Sequence, residues 1–152
     1  MKYFDASTTR QALPFTGLIA AIERMFVAGC EVPPRHVHKI VSGEGEQGTV
    51  LIMPAWYGGY MGIKTVNIFP GNAARGLPGL FSTYTLYSAA TGQPLAMIDG
   101  DEITARRTAA ASALAARYLA RRDARRLLVV GSGRVARLLP QAYRALLPIE
   151  EI

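Results

Sequence analysis

The stretch Leu127-Leu128-Val129-Val130-Gly131-Ser132-Gly133-Arg134-Val135-Ala136 constrains this chain more than any other. Four apolar residues, two of them β-branched, read as a short buried strand. The six residues after them spell G-x-G-x-x-A, the spacing of a dinucleotide fingerprint. Gly131 permits a tight turn out of the strand, Gly133 lets a pyrophosphate approach the backbone, and Ala136 keeps the next helix close to the sheet. The helix would aim its free N–H groups and positive dipole end at the phosphates. A glycine turn in some other α/β unit is the competing reading.

Helical spacing continues through Val135, Leu138, Leu139, Ala142 and Leu146. Pro140 falls inside that pattern and predicts a kink, because proline removes one helical hydrogen bond. Pro148 closes the helix, and Ile149-Glu150-Glu151-Ile152 reads as a second strand beginning. The acidic residue that grips a cofactor ribose belongs ~20 residues past the glycines, so the residue separating NAD from NADP falls beyond Ile152. One strand, one helix and a stub cannot make a parallel sheet covered on both faces. The expectation is the front part of a longer protein, truncated or completed by another chain.

At 152 residues the chain suits one ordinary domain, and its half share of hydrophobic residues suits a soluble core. The single cysteine, Cys30, excludes an intrachain disulfide and fits a reducing compartment; it reads as a small buried hydrophobe. No signal peptide is visible, and Pro14 and Glu23-Arg24 interrupt the apolar run from Leu13 to Cys30, which rules out a membrane span there. These features predict a cytoplasmic protein. The net charge of +6 gathers at Arg117, Arg121, Arg122, Arg125 and Arg126. Without interleaved aromatic residues this run reads as the solvated face of a helix, not a nucleic-acid surface.

Asp5 to Thr8 offer N-caps for a short helix ending near Leu13-Pro14. Thr16 can cap the next, whose apolar stripe is Leu18, Ile19, Ile22, Met25 and Phe26, with Gly29 as its stop. The period then changes. Strands are predicted at Val37–Val41, Thr49–Met53, Tyr60–Phe69, Leu80–Tyr87 and Pro94–Ile98. Gly43–Gly48, Tyr57–Gly59, Pro70–Pro78 and Ala89–Gly92 are the turns between them. The result is a largely antiparallel sheet. Asp101 is the predicted N-cap of an alanine-rich helix from about Glu102 to Arg122. The fold expected is α/β, with an α+β substrate and dimerisation domain over residues 1–112 and the first βα unit of a Rossmann domain over 113–152.

Lys64 lies in the apolar run Gly62-Ile63-Lys64-Thr65-Val66-Asn67-Ile68. Such a lysine is either a buried ammonium awaiting a carboxylate or an edge-strand lysine snorkelling to water. Arg107 could grip a carboxylate with its fork, with the Thr108 hydroxyl near a phosphate, or be one more surface arginine. Arg35, stiffened by Pro33-Pro34, could be an exposed loop residue. His36 and His38 share a strand face but lack a third ligand, so no metal site is predicted. Asp99 and Asp101 read as turn and cap residues.

Together these segments resemble the ornithine cyclodeaminase/mu-crystallin family. The resemblance is carried by Pro33-Pro34-Arg35, Met53-Pro54, Gly62-Ile63-Lys64-Thr65-Val66, Gly76-Leu77-Pro78 and Thr91-Gly92-Gln93-Pro94-Leu95-Ala96. Its most specific part is Thr104-Ala105-Arg106-Arg107-Thr108-Ala109-Ala110-Ala111-Ser112-Ala113-Leu114-Ala115. It implies a homodimer whose subunits pair a substrate domain with a Rossmann domain for NAD, with NADP as the variant. By position, Arg35, Lys64 and Arg107 correspond to cations holding a substrate carboxylate, with Lys64 also catalytic. Thr108, Gly131, Ser132, Gly133, Arg134 and Val135 correspond to cofactor contacts. The family often has threonine after the Gly-Leu-Pro turn, where this chain has Gly79, and its catalytic aspartate falls outside these residues.

The activity the resemblance implies is amino-acid chemistry, foremost conversion of L-ornithine to L-proline and ammonia by internal hydride transfer. Alanine dehydrogenase, ketimine reductase and a non-catalytic, mu-crystallin-like nucleotide-binding protein are the alternatives. The partners implied are a small amino or imino acid and a second copy, with neither nucleic acid nor membrane. The 152 residues alone are expected to be inactive.

Overall fold

Alternation of side chains along the middle of the chain becomes a single twisted sheet. The computed structural model describes residues 1–42 and 45–152. Its strands are β1 (Lys2–Phe4), β2 (His36–Ser42), β3 (Gly45–Tyr57), β4 (Tyr60–Ile68), β5 (Leu80–Ser88) and β6 (Pro94–Asp99). The sheet order is β1-β6-β5-β4-β3-β2. Every neighbouring pair is antiparallel except β1 with β6. The helices are α1 (Ala6–Ala12), α2 (Phe15–Ala28), α3 (Gly100–Leu119) and α4 (Leu139–Arg144).

The chain divides into two compact units. The first holds Met1–Ser7 and Cys30–Asp101, and the second holds Thr8–Gly29 and Glu102–Ile152.

In the first unit the turn chemistry sets the register. Gly58 and Gly59 both have positive φ, 57° and 83°, as a two-residue hairpin turn between right-twisted strands requires. Tyr57 therefore faces Tyr60, and the register runs without interruption to Thr49–Ile68. Beyond Ile68 the expected loop is a 3-10 turn over Pro70–Arg75 that ends on left-handed Gly76, with the Asn72 amide donating to the Pro78 carbonyl at 2.9 Å. β3 is longer than predicted because Pro54 lies past the last β2 pair, His36–Ile52, where its missing N–H leaves no ladder bond unmade. Gly43 and Glu44 of the expected polar turn lie outside the described residues, and Gly45–Gly48 belong to β3. Strand β1 carries no alternation in three residues and was not predicted.

In the second unit the helices pack through small residues. Ala109, Ala110, Ala113 and Leu114 of α3 form a core with Phe15 and Ile19 of α2 and Ala142 of α4. Alanine at these positions lets helix backbones approach closely, at low helix-forming cost. The Ser112 and Tyr143 hydroxyls add a hydrogen bond at 3.0 Å between α3 and α4. Arg117 and Tyr118 of α3 both bond the Glu23 carboxylate of α2, the first at 2.7 Å.

Several local expectations are corrected. Thr16 does not cap α2: Pro14 occupies the N-cap and the helix begins at Phe15. Phe26 is off the stripe and exposed. Asp101 is not the N-cap of α3 but lies in its first turn, accepting the Ser82 hydroxyl at 2.6 Å. Cys30 is exposed, not buried. The arginine run is not one helix face, since α3 ends at Leu119. Arg121 pairs with Asp123, Arg125 with Glu150 and Arg126 with Glu151.

Pro140 causes no kink. A 3-10 turn at Ala136–Leu138 precedes α4, and Pro140 stands in the first turn of α4, where its absent N–H would have no helical acceptor. The predicted stripe still packs: Val135, Leu138, Leu139 and Leu146 border the buried Ala142. The fingerprint strand is reduced to a single parallel bridge, Arg126 with Glu151. Leu128 and Val130, expected in a buried strand, are 87% and 89% exposed. No described element covers that side of the segment, so the apolar pattern is present without its cover.

Candidate functional site

The candidate residues fall on both units. In the first, Lys64 is the fifth residue of β4, with β3 on one side and β5 on the other. The edge-strand reading is thereby excluded. Lys64 is half-buried, faces Met53 on β3 and Tyr84 on β5, and Tyr84 in turn faces Ile98 on β6. Directly facing residues share a sheet face, so one cross-strand row carries Met53, Lys64, Tyr84 and Ile98. Arg35 immediately precedes β2, whose first residue, His36, pairs with Ile52 next to Met53. β2 and β4 flank β3, two strand spacings or about 10 Å apart. Two side chains of that length can converge on one carboxylate.

Gly62 lies two residues before Lys64 on the same face. A Cβ there would come 1.8 Å from the Tyr84 Oη, so the tyrosine ring crosses the strand where the side chain is missing. Burial pushes the Tyr84 phenol above its ordinary value. The folded protein thus keeps a proton that the unfolded chain releases near pH 10. The stability from this group is present below about pH 10 and is lost as pH rises through the folded value. Alkaline denaturation midpoints should show it: Tyr84→Phe should lose less stability above about pH 10 than the parent does. Parallel curves for the two proteins would exclude this cause.

His36 and His38 stack at 6.5 Å between ring centroids on exposed β2. Among the described residues no three His, Cys, Asp or Glu side chains come together.

In the second unit, Arg107 is exposed on α3, while its neighbour Arg106 is 3% exposed. The Thr108 hydroxyl donates to the Thr104 carbonyl at 2.6 Å, one helical turn back. That bond leaves the hydroxyl oxygen's lone pairs able to accept. In the fingerprint, Gly131 has φ +110°, a conformation L side chains rarely adopt. A Cβ on Gly133 would meet nothing within 4 Å. The backbone at Gly133 is thus open to close approach, which fits a pyrophosphate. Arg137 Nε donates to the Ser132 carbonyl at 3.1 Å and braces the loop from below. Val135 turns toward the helical core.

Sequence reasoning missed the charged cluster beside this loop. Arg106 Nε donates to the Leu13 carbonyl at 2.8 Å, and its guanidinium lies 4.2 Å over the Phe15 ring. Glu102, one turn earlier on α3, takes a two-pronged contact from Arg10 at 3.0 and 3.3 Å. The i,i+4 spacing of Glu102 and Arg106 was a usable signal. Arg10 had none.

A family profile described as the ornithine cyclodeaminase/mu-crystallin family matches residues 9–152. The chain belongs to that family. The Δ1-pyrroline-2-carboxylate reductase of Colwellia psychrerythraea is 34% identical over 154 residues, covering all of this chain and 49% of the relative. The structure of the Thermococcus litoralis Δ1-pyrroline-2-carboxylate reductase, in complex with NADH and L-proline, superposes with a TM-score of 0.84 at 31% identity. It covers 99% of this chain and 47% of that one. An archaeal alanine dehydrogenase dimer with bound NAD superposes at 0.83 with 30% identity, over 98% of this chain and 46% of the other. The chain thus spans about half the length of these family members. Among the described residues, no helix is long and apolar enough to cross a membrane.

Proposed function

We propose that the protein is an NAD-dependent enzyme that transfers hydride at the α-carbon of a small amino or imino acid. The observation that carries this is Lys64, an ammonium on an interior strand of a family member whose second unit holds an open-backed glycine fingerprint. In this reading Arg35, Lys64 and Arg107 hold the substrate carboxylate. Thr108 and the segment Gly131–Val135 hold the nucleotide. When bound, the nicotinamide supplies the hydride acceptor or donor. The chain's own contribution is chiefly positioning: a carboxylate held by fixed cations sets the α-carbon in place. Lys64 also exchanges a proton with the substrate nitrogen. Residues 1–112 form the substrate and dimerisation part, and residues 113–152 open the Rossmann part.

The reaction favoured is reduction of a cyclic imino acid, in which Δ1-pyrroline-2-carboxylate, hydride and a proton give proline. Support comes from the Colwellia and Thermococcus reductases, both similar over nearly the whole chain. The ornithine cyclodeaminase reaction contains this reduction as its last step. A second reading keeps it, because a lysine cyclodeaminase structure superposes at a TM-score of 0.74 with 29% identity. A homodimer is supported by the archaeal alanine dehydrogenase dimer.

The deciding experiment offers the full-length protein NADH with Δ1-pyrroline-2-carboxylate, and NAD⁺ with L-ornithine and L-alanine, and analyses the products. NADH consumption with proline formation is expected. Proline from ornithine with no net NADH would select the cyclodeaminase. Net NADH with alanine would select the dehydrogenase. Tight nucleotide binding without turnover of any substrate would overturn the enzyme reading in favour of a binding protein.

A further inference from the structure

The face of the sheet that carries Lys64 is uneven. On one side of Lys64 the next cross-strand row is Leu51, Val66 and Ser82, and Val66 is buried. On the other side, toward the Gly58-Gly59 turn, the row is Ala55, Gly62, Leu86 and Ala96. Three of those four carry a methyl group or no side chain at all, so the sheet surface drops there. Tyr84 lies over the drop. It pairs directly with Lys64, and its ring leans along the strands until Oη, Cζ and Cε2 all stand within 3.1 Å of where a Gly62 Cβ would be. The hollow beside Lys64 is filled from the neighbouring strand, and only a glycine at residue 62 allows it.

Among the described residues the Tyr84 hydroxyl makes no hydrogen bond, and no buried polar side-chain atom is left without one. The hydroxyl therefore reaches the surface, at the tip of a partly buried ring. Arg35 and Tyr84 stand on opposite sides of Lys64, the first next to β2 beyond β3, the second on β5. In the clamp proposed above, a carboxylate shared by Arg35 and Lys64 directs the rest of the substrate toward β5. Its α-carbon and ring then come to rest against Tyr84.

We propose that Tyr84 is a specificity-determining residue: its ring, seated on Gly62, is the wall that limits how large a substrate ring fits beside Lys64, and it favours a five-membered imino acid over the six-membered homologue. The proposal rests on the imino-acid reading above and narrows its substrate class. The tyrosine ring already lies against the main chain of β4 and cannot retreat to admit another methylene. One methylene against such a wall changes specificity by about 10- to 200-fold.

The test gives the full-length protein NADH and compares kcat/KM for Δ1-pyrroline-2-carboxylate and its six-membered homologue, with thermal unfolding measured for each variant. The parent should prefer the five-membered ring by about tenfold or more. Tyr84→Phe keeps the ring and should keep the preference. Tyr84→Val withdraws the ring and should shift the ratio about tenfold toward the six-membered substrate. Gly62→Ala leaves Tyr84 in place but puts a methyl group under its ring. It should displace the ring from its seat and change the ratio as well, which keeps the proposal testable if Tyr84→Val does not fold. A merely structural Tyr84 would alter the unfolding temperature and leave the ratio unmoved in every variant. That result would overturn the proposal, as would a parent indifferent to ring size. If the parent reduces neither imine, the enzyme reading falls, and calorimetry with L-proline and its six-membered homologue in the presence of NAD⁺ replaces the rates. A ratio of affinities that moves with Tyr84→Val then keeps the wall, an unmoved ratio removes it, and binding of neither ligand removes both.

Discussion

Lys64→Met should abolish substrate binding and leave nucleotide binding intact. The lysine occupies an interior strand between Met53 and Tyr84, so in the proposed clamp its ammonium would meet a substrate carboxylate in partly desolvated surroundings. Removing one partner of such a charge pair costs about 2–5 kcal/mol, or roughly 30-fold to several thousand-fold in affinity. Methionine matches the lysine stem in length and is apolar, so packing of the stem within the sheet is kept, and a thermal melt reads what the ammonium's own contacts contribute. Calorimetry with L-proline in the presence of NAD⁺ reads the first effect, and NADH fluorescence reads the second. The fingerprint lies in the other compact unit, which is why the nucleotide arm serves as the control. Undiminished proline affinity would remove Lys64 from the carboxylate clamp. Loss of both ligands would show that the substitution acts through the fold and not through one charge.

What the sequence made legible follows from how locally each feature is determined. The β3–β4 hairpin was readable because Gly58-Gly59 punctuates two alternating runs, and turn and pattern agree on one register. The helical character of α3 was readable from its alanines. Strand β1 was not, because three residues in parallel pairing with β6 leave no local trace. Cys30 and Phe26 were misread for the same reason: composition favours burial for both, while exposure depends on what else approaches. For the site, Lys64 stood out as a charge in an apolar run, yet the run alone left edge and interior equally open. Strand order decided between them. The Arg106-Arg107 pair shows the limit most sharply. The two are adjacent and identical in type, but about 100° of helical rotation puts one on the core side of α3 and the other in solvent. No property of the residue type distinguishes them. Only the partners do, Leu13 and Phe15 arriving from more than ninety residues earlier.

Gly100→Ala should be strongly destabilising for the sheet unit. Gly100 is buried at the junction where β6 becomes α3. Its missing side chain is occupied by the backbone of β5: an added Cβ would lie 2.6 Å from the Ser82 carbonyl carbon, 2.7 Å from the Thr83 nitrogen and 2.8 Å from the Ser82 oxygen. At Gly62 the obstruction is the end of a tyrosine side chain, which can turn aside. At Gly100 it is main chain, which moves only if the β5–β6 pairing moves with it. That pairing joins Thr83 to Asp99 directly beside the clash, and the Ser82 hydroxyl is bonded to Asp101 on its other side. Overpacking of this kind costs about 1–3 kcal/mol where neighbours can adjust. With main chain as the obstruction, about 3 kcal/mol or more is expected, and roughly 10 °C or more in unfolding temperature for a protein of this size. Intrinsic helix propensity works in the opposite direction, since alanine is favoured over glycine inside a helix by about 1 kcal/mol. The sign of the measured change therefore separates the two effects. A marked loss in thermal melts establishes close β5 contact as the reason for glycine here. A gain would mean that Gly100 serves no steric purpose.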